Sequence, residues 1–167
     1  SEKQRLEKQQ KDNEKESQKW TFEAVKTYLQ VAQSDNPLFR KYERMDHVLF
    51  YLAFLLTQAK KQEQARVFFL RLIKDYPTSR FIPDAYLSFA EYYFYEGDME
   101  AALKFYDKVT QYPESKVYGF AIYKTGWCWI NLNDHEKALT MFVKVIKLAD
   151  EGKGADKLGI GALQREA

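Results

Sequence analysis

Few residues in this 167-residue chain have side chains that could carry out chemistry, and they do not combine into a reactive set. The histidines are His47 and His135, and Glu43 lies one helical turn before His47. Two ligands fall short of the three or four protein groups that a zinc site needs. The single cysteine, Cys128, lies within Gly126-Trp-Cys-Trp-Ile130, where a packed thiol is the simplest interpretation.

Other catalytic arrangements are also missing from the sequence. It contains no G-x-S-x-G nucleophile elbow. The glycine-rich stretch 152–161 lacks the Lys-Ser/Thr ending and the preceding strand that a phosphate-binding loop needs. Glu91 and Glu96 are single carboxylates on one predicted helix rather than an acid/base pair. The sequence therefore predicts a protein that is not an enzyme and needs no cofactor or metal.

A helical pattern that recurs along the chain predicts the helices on which these residues lie. Its clearest copy places Ala102, Tyr106 and Val109 on one helix face. The small residue recurs in steps of 37 and 36 residues, because Ala65 precedes Ala102 and Ala138 follows it. Each copy follows another helical pattern, and the two are separated by a short break. Two helices per unit, repeated at a nearly fixed period, are typical of an α-solenoid.

The first helix of each unit carries its own small residue, at Ala53, Ala90 or Gly126. Small side chains at these points allow neighbouring helices to approach closely. The breaks before the last two second helices end in Asp98 and Asp134, which are predicted N-caps.

This spacing resembles the tetratricopeptide repeat, whose second helix reads Ala-x-x-x-aromatic-x-x-apolar. The resemblance covers about residues 20 to 149, most of the chain. It implies an all-α fold, a right-handed α-solenoid of helix-turn-helix repeats, with a charged N-terminal helical extension. It rests on three alanines, each followed four positions later by an aromatic residue: Ala65 and Phe69, Ala102 and Tyr106, and Ala138 and Phe142.

A finer resemblance concerns the segments Asp75-Tyr-Pro-Thr-Ser79 and Gln111-Tyr-Pro-Glu-Ser115, which lead into the next first helix. They are similar to bacterial envelope members of the family. These are the lipoprotein of the outer-membrane β-barrel assembly machinery and the periplasmic repeat proteins associated with the Tol–Pal system. This resemblance implies a place in a cell-envelope assembly, in the periplasm or at the outer membrane, whereas the residues alone leave the compartment unknown.

The chain is expected to divide into three segments. Residues 1–19 contain one aliphatic residue, Leu6, among Lys, Glu and Gln, which predicts an exposed helical extension; a docking arm for a partner is the alternative. Residues 20–151 would form a solenoid of about three and a half repeats. Residues 152–167 would be either the start of a further repeat or a C-terminal cap.

The connection into the first full unit is predicted from its capping residues. Asn36 is a predicted N-cap, with Pro37 in the first turn of a long helix that runs through Tyr42 into Leu56. Its last part, from Val48, is apolar on every side, which favours a helix packed on both flanks. That apolar run is too short to cross a bilayer, which needs about 20 residues.

Charge and composition narrow the classes of partner. The chain has 26 Lys and Arg against 24 Asp and Glu, a formal charge of +2, which supplies no strong field for nucleic acid or anionic lipid. Single-stranded RNA can stack on aromatic side chains, but it also needs a basic stripe beside them. Lysines and arginines here are interleaved with acidic residues, so RNA binding is the weakest hypothesis.

In this family the first helices line a concave groove. The place of the small residue in each first helix indicates which neighbouring positions face that groove. The resulting wall is unusually aromatic. A charged clamp for a peptide carboxylate would need Lys, Asn and Arg at these positions, and Lys124 alone is present, which disfavours such a clamp. The predicted partner-binding residues are His47, Phe50, Phe54, Leu87, Glu91, Phe94, Tyr95, Phe120, Tyr123, Lys124, Trp127 and Ile130.

These positions favour a non-catalytic protein–protein interaction scaffold that binds a peptide or a partner helix in the aromatic groove. The competing interpretation of each aromatic residue is that it only fills gaps between helices. The alternative function is an accessory or regulatory repeat domain of a larger enzyme or complex. Exposed apolar faces at the ends of the solenoid would also allow self-association.

Overall fold

The structure is a computed structural model that describes residues 2–150. Those residues form eight α-helices and no strand, which confirms the all-α prediction. They belong to two compact units, a first unit of residues 1–77 and a second unit that begins at residue 78. The helices are α1 (Glu2–Ala32), α2 (Pro37–Arg40), α3 (Met45–Gln58), α4 (Gln62–Asp75), α5 (Ile82–Tyr95), α6 (Met99–Thr110), α7 (Tyr118–Asn131) and α8 (His135–Asp150).

In the first unit, α3 pairs with α4, and α1 packs against α3. Helix α1 is continuous over 31 residues, and its charged N-terminal part is exposed, as predicted for the extension. The end of α1 is tied to α4 by Arg71, whose Nη1 donates to the carbonyl oxygen of Ala32 at 2.6 Å. That hydrogen bond satisfies one of the carbonyl groups that a helix end leaves without a partner in the helix.

The connection between α1 and α3 differs from its prediction. Asn36 does cap α2, because its side-chain oxygen accepts a backbone N–H at 3.0 Å. The single helix predicted through Tyr42 into Leu56 is wrong, since α2 has four residues and α3 begins at Met45. Residues 41–44 are exposed, so a helix there would have no packed face to stabilise it, and buried side chains resume at Met45.

The turns inside the second unit follow from their local sequence. Gly97, after α5, has φ 82°, a left-handed conformation that glycine adopts without a steric penalty. Asp98 and Asp134 each accept the N–H of the residue three positions later, at 3.0 and 3.1 Å. Both N-cap predictions are therefore confirmed.

In the second unit, α5 pairs with α6, α7 pairs with α8, and α7 also packs against α6. Each predicted small position in the chain is buried, which is what close helix approach requires. The centre of the second unit is a fully buried cluster contributed by α5, α6 and α7. This core cluster consists of Ala90, Ala102, Tyr106, Val109, Ala121 and Cys128.

Candidate functional site

A buried lysine lies where α5, α6 and α7 meet. Lys124 on α7 is 4% exposed, although lysine is rarely buried unless it is paired. Its Nζ lies 3.6 Å from Oε1 of Glu91 on α5. The hydroxyl of Tyr106 on α6 donates a hydrogen bond to the same carboxylate oxygen. One ammonium and one carboxylate thus neutralise each other, and a third helix holds the carboxylate in place.

Three aromatic rings surround the same ammonium group. The Nζ of Lys124 lies 3.8 Å from the ring centroid of Phe94, 5.5 Å from that of Tyr95 and 5.9 Å from that of Phe120. These distances are in the range of cation–π attraction. The structure therefore brings together five of the predicted site residues. We call them the lysine cluster: Glu91, Phe94, Tyr95, Phe120 and Lys124.

A second group of rings lies on α7 and α8. The ring centroids of Tyr123 and Trp127 are 6.2 Å apart, and that of Phe142 lies 6.1 and 5.9 Å from them. Trp127 is 41% exposed. Its ring is thus held by two neighbours while part of its surface faces solvent. We call these three residues the aromatic ledge.

Gly126 explains how the ring of Phe142 reaches α7. A Cβ atom at residue 126 would lie 2.6 Å from Cε1 of Phe142, closer than unbonded carbon atoms approach each other. The absence of a side chain at this position therefore creates the space that the ring occupies.

Gly126→Ala should consequently displace the ring of Phe142 and disturb the aromatic ledge. Overpacking costs about 1–3 kcal/mol, which outweighs the gain in helix propensity of about 1 kcal/mol. We expect a lower free energy of unfolding in urea and a changed tryptophan emission spectrum. A variant more stable than the wild type would show that the ring moves at no cost.

The other two predicted residues of the second unit lie one helical turn from members of these groups, Leu87 from Glu91 and Ile130 from Trp127. Leu87 on α5 is half-buried and packs against the core cluster. Ile130 lies near the end of α7 and is also half-buried.

The three predicted residues of the first unit lie on α3. The ring of Phe50 lies 6.3 Å from the rings of both Phe54 and Phe69, centroid to centroid, and Phe54 is exposed. Nδ1 of His47 lies 2.9 Å from Oδ1 of Asp46, so this histidine makes a local contact along its own helix. The first unit thus has its own partly exposed aromatic group.

Sequence reasoning did not assign two residues that the site uses. Tyr106 and Phe142 were predicted only as packing residues of second helices, yet one bonds Glu91 and the other completes the aromatic ledge. For Tyr106 a signal existed. The equivalent positions 69 and 142 are phenylalanine, and a tyrosine that replaces phenylalanine in a core usually places its hydroxyl on a polar partner.

Burial raises the pKa values of two side chains near Lys124 and Glu91, the Cys128 thiol and the Tyr106 hydroxyl. It raises the pKa of the Cys128 thiol to about 12, with Lys124 lowering and Glu91 raising that value in part. Burial, followed by the nearby Glu91 carboxylate, raises the pKa of the Tyr106 hydroxyl as well. Both groups keep their protons at neutral pH.

Cys128 should therefore react very slowly with thiol reagents in the folded protein and at the normal rate in urea. Its folded pKa lies above the usual value of 9.0, so its contribution to stability is complete below pH 9.0 and is lost as the pH rises towards 12. Following the reaction by absorbance, with and without urea, checks the expectation. A folded-state rate equal to that in urea would contradict it.

Within residues 2–150, no group of three or more His, Cys, Asp or Glu side chains could hold a metal ion. Over the same residues, none of the helices combines the length and the apolar character that crossing a membrane requires. The described residues thus hold a neutralised ion pair under three aromatic rings and, in the aromatic ledge, a tryptophan that is partly exposed.

Comparisons with known proteins agree with the helix pairs. Two family models, both described as tetratricopeptide repeat, match the chain: one at residues 47–79 and 120–150, the other at residues 83–115. These segments correspond to the three helix pairs and together cover more than half of the chain. No curated protein matches it. Tetratricopeptide repeats generally mediate protein–protein interactions and are typically not catalytic. The chain belongs to the tetratricopeptide repeat family.

Proposed function

We propose that this chain is a non-catalytic scaffold that binds a peptide or a helix of a partner protein on α5 and α7 of the second unit. The observation that carries the proposal is Trp127, which is 41% exposed while Tyr123 and Phe142 hold its ring. A tryptophan held in this way offers a large contact area and loses little conformational freedom on binding. Such residues dominate the energy of many interfaces.

The charges of the site indicate a partner with an apolar face. Lys124 is the one charged residue of α7, and Glu91 balances it. Because the ammonium is buried under aromatic rings, it supports the surface rather than meeting a carboxylate of the partner. A segment that presents aromatic or aliphatic side chains would lose no charge hydration here, whereas an acidic one would find the ammonium of Lys124 already paired and buried.

The first unit offers a separate contact of the same type. Phe54 occupies the position in α3 that Trp127 occupies in α7, counted from Ala53 and Gly126, and it is also exposed. Phe50 supports its ring, as Tyr123 supports that of Trp127. In the proposal, both units bind through an aromatic residue that directly follows the small residue of a first helix.

A peptide-display selection against the full chain tests the chemistry of the proposed partner. We expect selected peptides to be rich in Trp, Phe and Leu, to share no terminal carboxylate, and to keep their affinity as salt is raised. Selected ligands that share acidic residues or a free C-terminus would contradict the proposal. Nucleic acid that binds with a steep salt dependence would instead support the RNA hypothesis.

The cellular setting is a further part of the proposal and rests on resemblance alone. The segments 75–79 and 111–115 are similar to those of envelope members of the family, which supports a role in a cell-envelope assembly in the periplasm or at the outer membrane. Fractionation of source cells followed by co-purification tests it. Recovery with envelope proteins is expected, and recovery with a soluble cytosolic enzyme would favour the accessory-domain alternative.

A further inference from the structure

The short helix α2 and the residues after it present apolar side chains to solvent. Leu38 is 80% exposed, and Phe39 and Tyr42 are 40% and 48% exposed. The packed helix pairs of the first unit are α3 with α4 and α1 with α3, and α2 belongs to neither. Three large side chains of this kind within five residues are typical of a contact surface rather than of a simple connection between helices. We call these three residues the α2 tip.

Local hydrogen bonds hold the α2 tip in one conformation. Asn36 caps the helix, and Pro37 occupies its first turn. The backbone N–H of Lys41 donates to the carbonyl oxygen of Pro37 at 3.2 Å and closes the turn. The exposed side chains are thus presented on an ordered backbone, so contact with another surface requires little further ordering of the chain.

Exposed charged side chains flank the α2 tip. Lys41 and Arg44 face solvent, and so do the carboxylates Asp35 and Glu43. Residues 35–44 contain three basic and two acidic residues, a surplus of one positive charge. Such a surplus favours an anionic surface but is too small to hold the chain there by itself. The apolar side chains would have to supply most of the attraction.

A lipid surface fits this combination of residues. Leucine and phenylalanine gain free energy by entering the boundary between headgroups and acyl chains, tyrosine prefers the interface, and lysine and arginine are attracted to anionic headgroups. A lipid surface also needs no preformed pocket to take up a side chain as exposed as Leu38. We propose that the α2 tip docks the chain on an anionic membrane surface.

In this docking, Leu38 and Phe39 enter the boundary between headgroups and acyl chains. Lys41 and Arg44 contact the anionic headgroups. The inference goes beyond the proposed function, because it concerns the first unit and a lipid partner rather than the peptide surface on α5 and α7.

Sedimentation of the full chain with vesicles tests the docking. The vesicles consist of phosphatidylglycerol mixed with phosphatidylcholine, or of phosphatidylcholine alone. We expect binding to the anionic vesicles, which Leu38→Asp should weaken about tenfold or more, because it removes an inserted apolar side chain and adds a repelled charge. Leu70→Asp on α4 is the matched control, since Leu70 is 56% exposed in the same unit, and it should leave binding nearly unchanged. Circular dichroism checks that both variants keep their helices.

A polarity-sensitive dye separates insertion from attraction by charge alone. Leu38→Cys and Leu70→Cys are labelled with the same dye, and Cys128 is buried and takes up little of it. We expect the emission of the dye at residue 38, and not at residue 70, to shift to the blue on anionic vesicles. The same response at both positions would overturn the proposal.

Two further results would also overturn it. One is a wild-type chain that does not sediment with the anionic vesicles, or that loses binding equally in Leu38→Asp and Leu70→Asp. The other is a Leu38→Asp variant that loses a selected peptide ligand while the wild type ignores vesicles, which would assign the α2 tip to a protein partner.

Discussion

Glu91→Ala is expected to lower the free energy of unfolding by about 3 kcal/mol. The substitution leaves the ammonium of Lys124 buried without its counter-charge and removes the acceptor of the Tyr106 hydroxyl. A buried charge without a partner is among the most destabilising changes that a single substitution can make. Urea denaturation at neutral pH, followed by circular dichroism, measures the effect.

Glu96→Ala is the matched control, because Glu96 is an exposed carboxylate directly after the same helix. It should change the free energy of unfolding by less than about 0.5 kcal/mol. Replacing both charges and the hydroxyl, as Glu91→Leu with Lys124→Met and Tyr106→Phe, should recover most of the loss, since an apolar set has no charge to desolvate and leaves no hydroxyl without its acceptor. If Glu91→Ala were no more destabilising than Glu96→Ala, the lysine cluster would not be the buried ion pair described above.

Trp127→Ala is expected to weaken the binding of a displayed or captured ligand by about 2 kcal/mol or more, roughly a thirtyfold rise in Kd. The Trp127 ring is partly exposed and is already held by its neighbours. Its removal therefore costs contact area with the ligand, and no large loss of side-chain conformational entropy is avoided in return. Titration calorimetry with the folded variant gives the change in affinity.

The matched control for that titration is Trp20→Ala, because Trp20 is 63% exposed on α1 and belongs to neither group of site residues. It should leave the Kd unchanged. Equal effects of the two substitutions would mean that exposed tryptophans bind the ligand without regard to position, and the aromatic ledge would lose its special role.

Much of the fold could be predicted from the sequence because it depends on local and periodic signals. The regular spacing of the small residues indicates which face of each helix is packed. Asp98 and Asp134 mark helix starts, because an N-cap depends only on residues within one turn of the chain. The prediction failed between Asn36 and Met45, where helix-forming residues find nothing to pack against. Whether a marginal helix forms there depends on tertiary contacts, which the local sequence does not contain.

The candidate site was predicted less completely. Spacing places Lys124 and Glu91 on the correct helices, but it does not show that the ammonium is buried or that both groups meet Tyr106. That outcome depends on three helices at once, and a residue period specifies only one helix face at a time. The expectation that the first helices of all repeats share one groove stays a prediction.

Hydroxyl-radical footprinting of the full chain, with and without a bound ligand, tests most directly whether the lysine cluster and the aromatic ledge bind a partner. Tyr95 and Trp127 are exposed enough to be oxidised in the free protein, and Trp20 provides an internal reference on α1. We predict that the ligand protects Tyr95 and Trp127 and leaves the oxidation of Trp20 unchanged. Protection of Trp20 with undiminished oxidation of Trp127 would contradict the proposal.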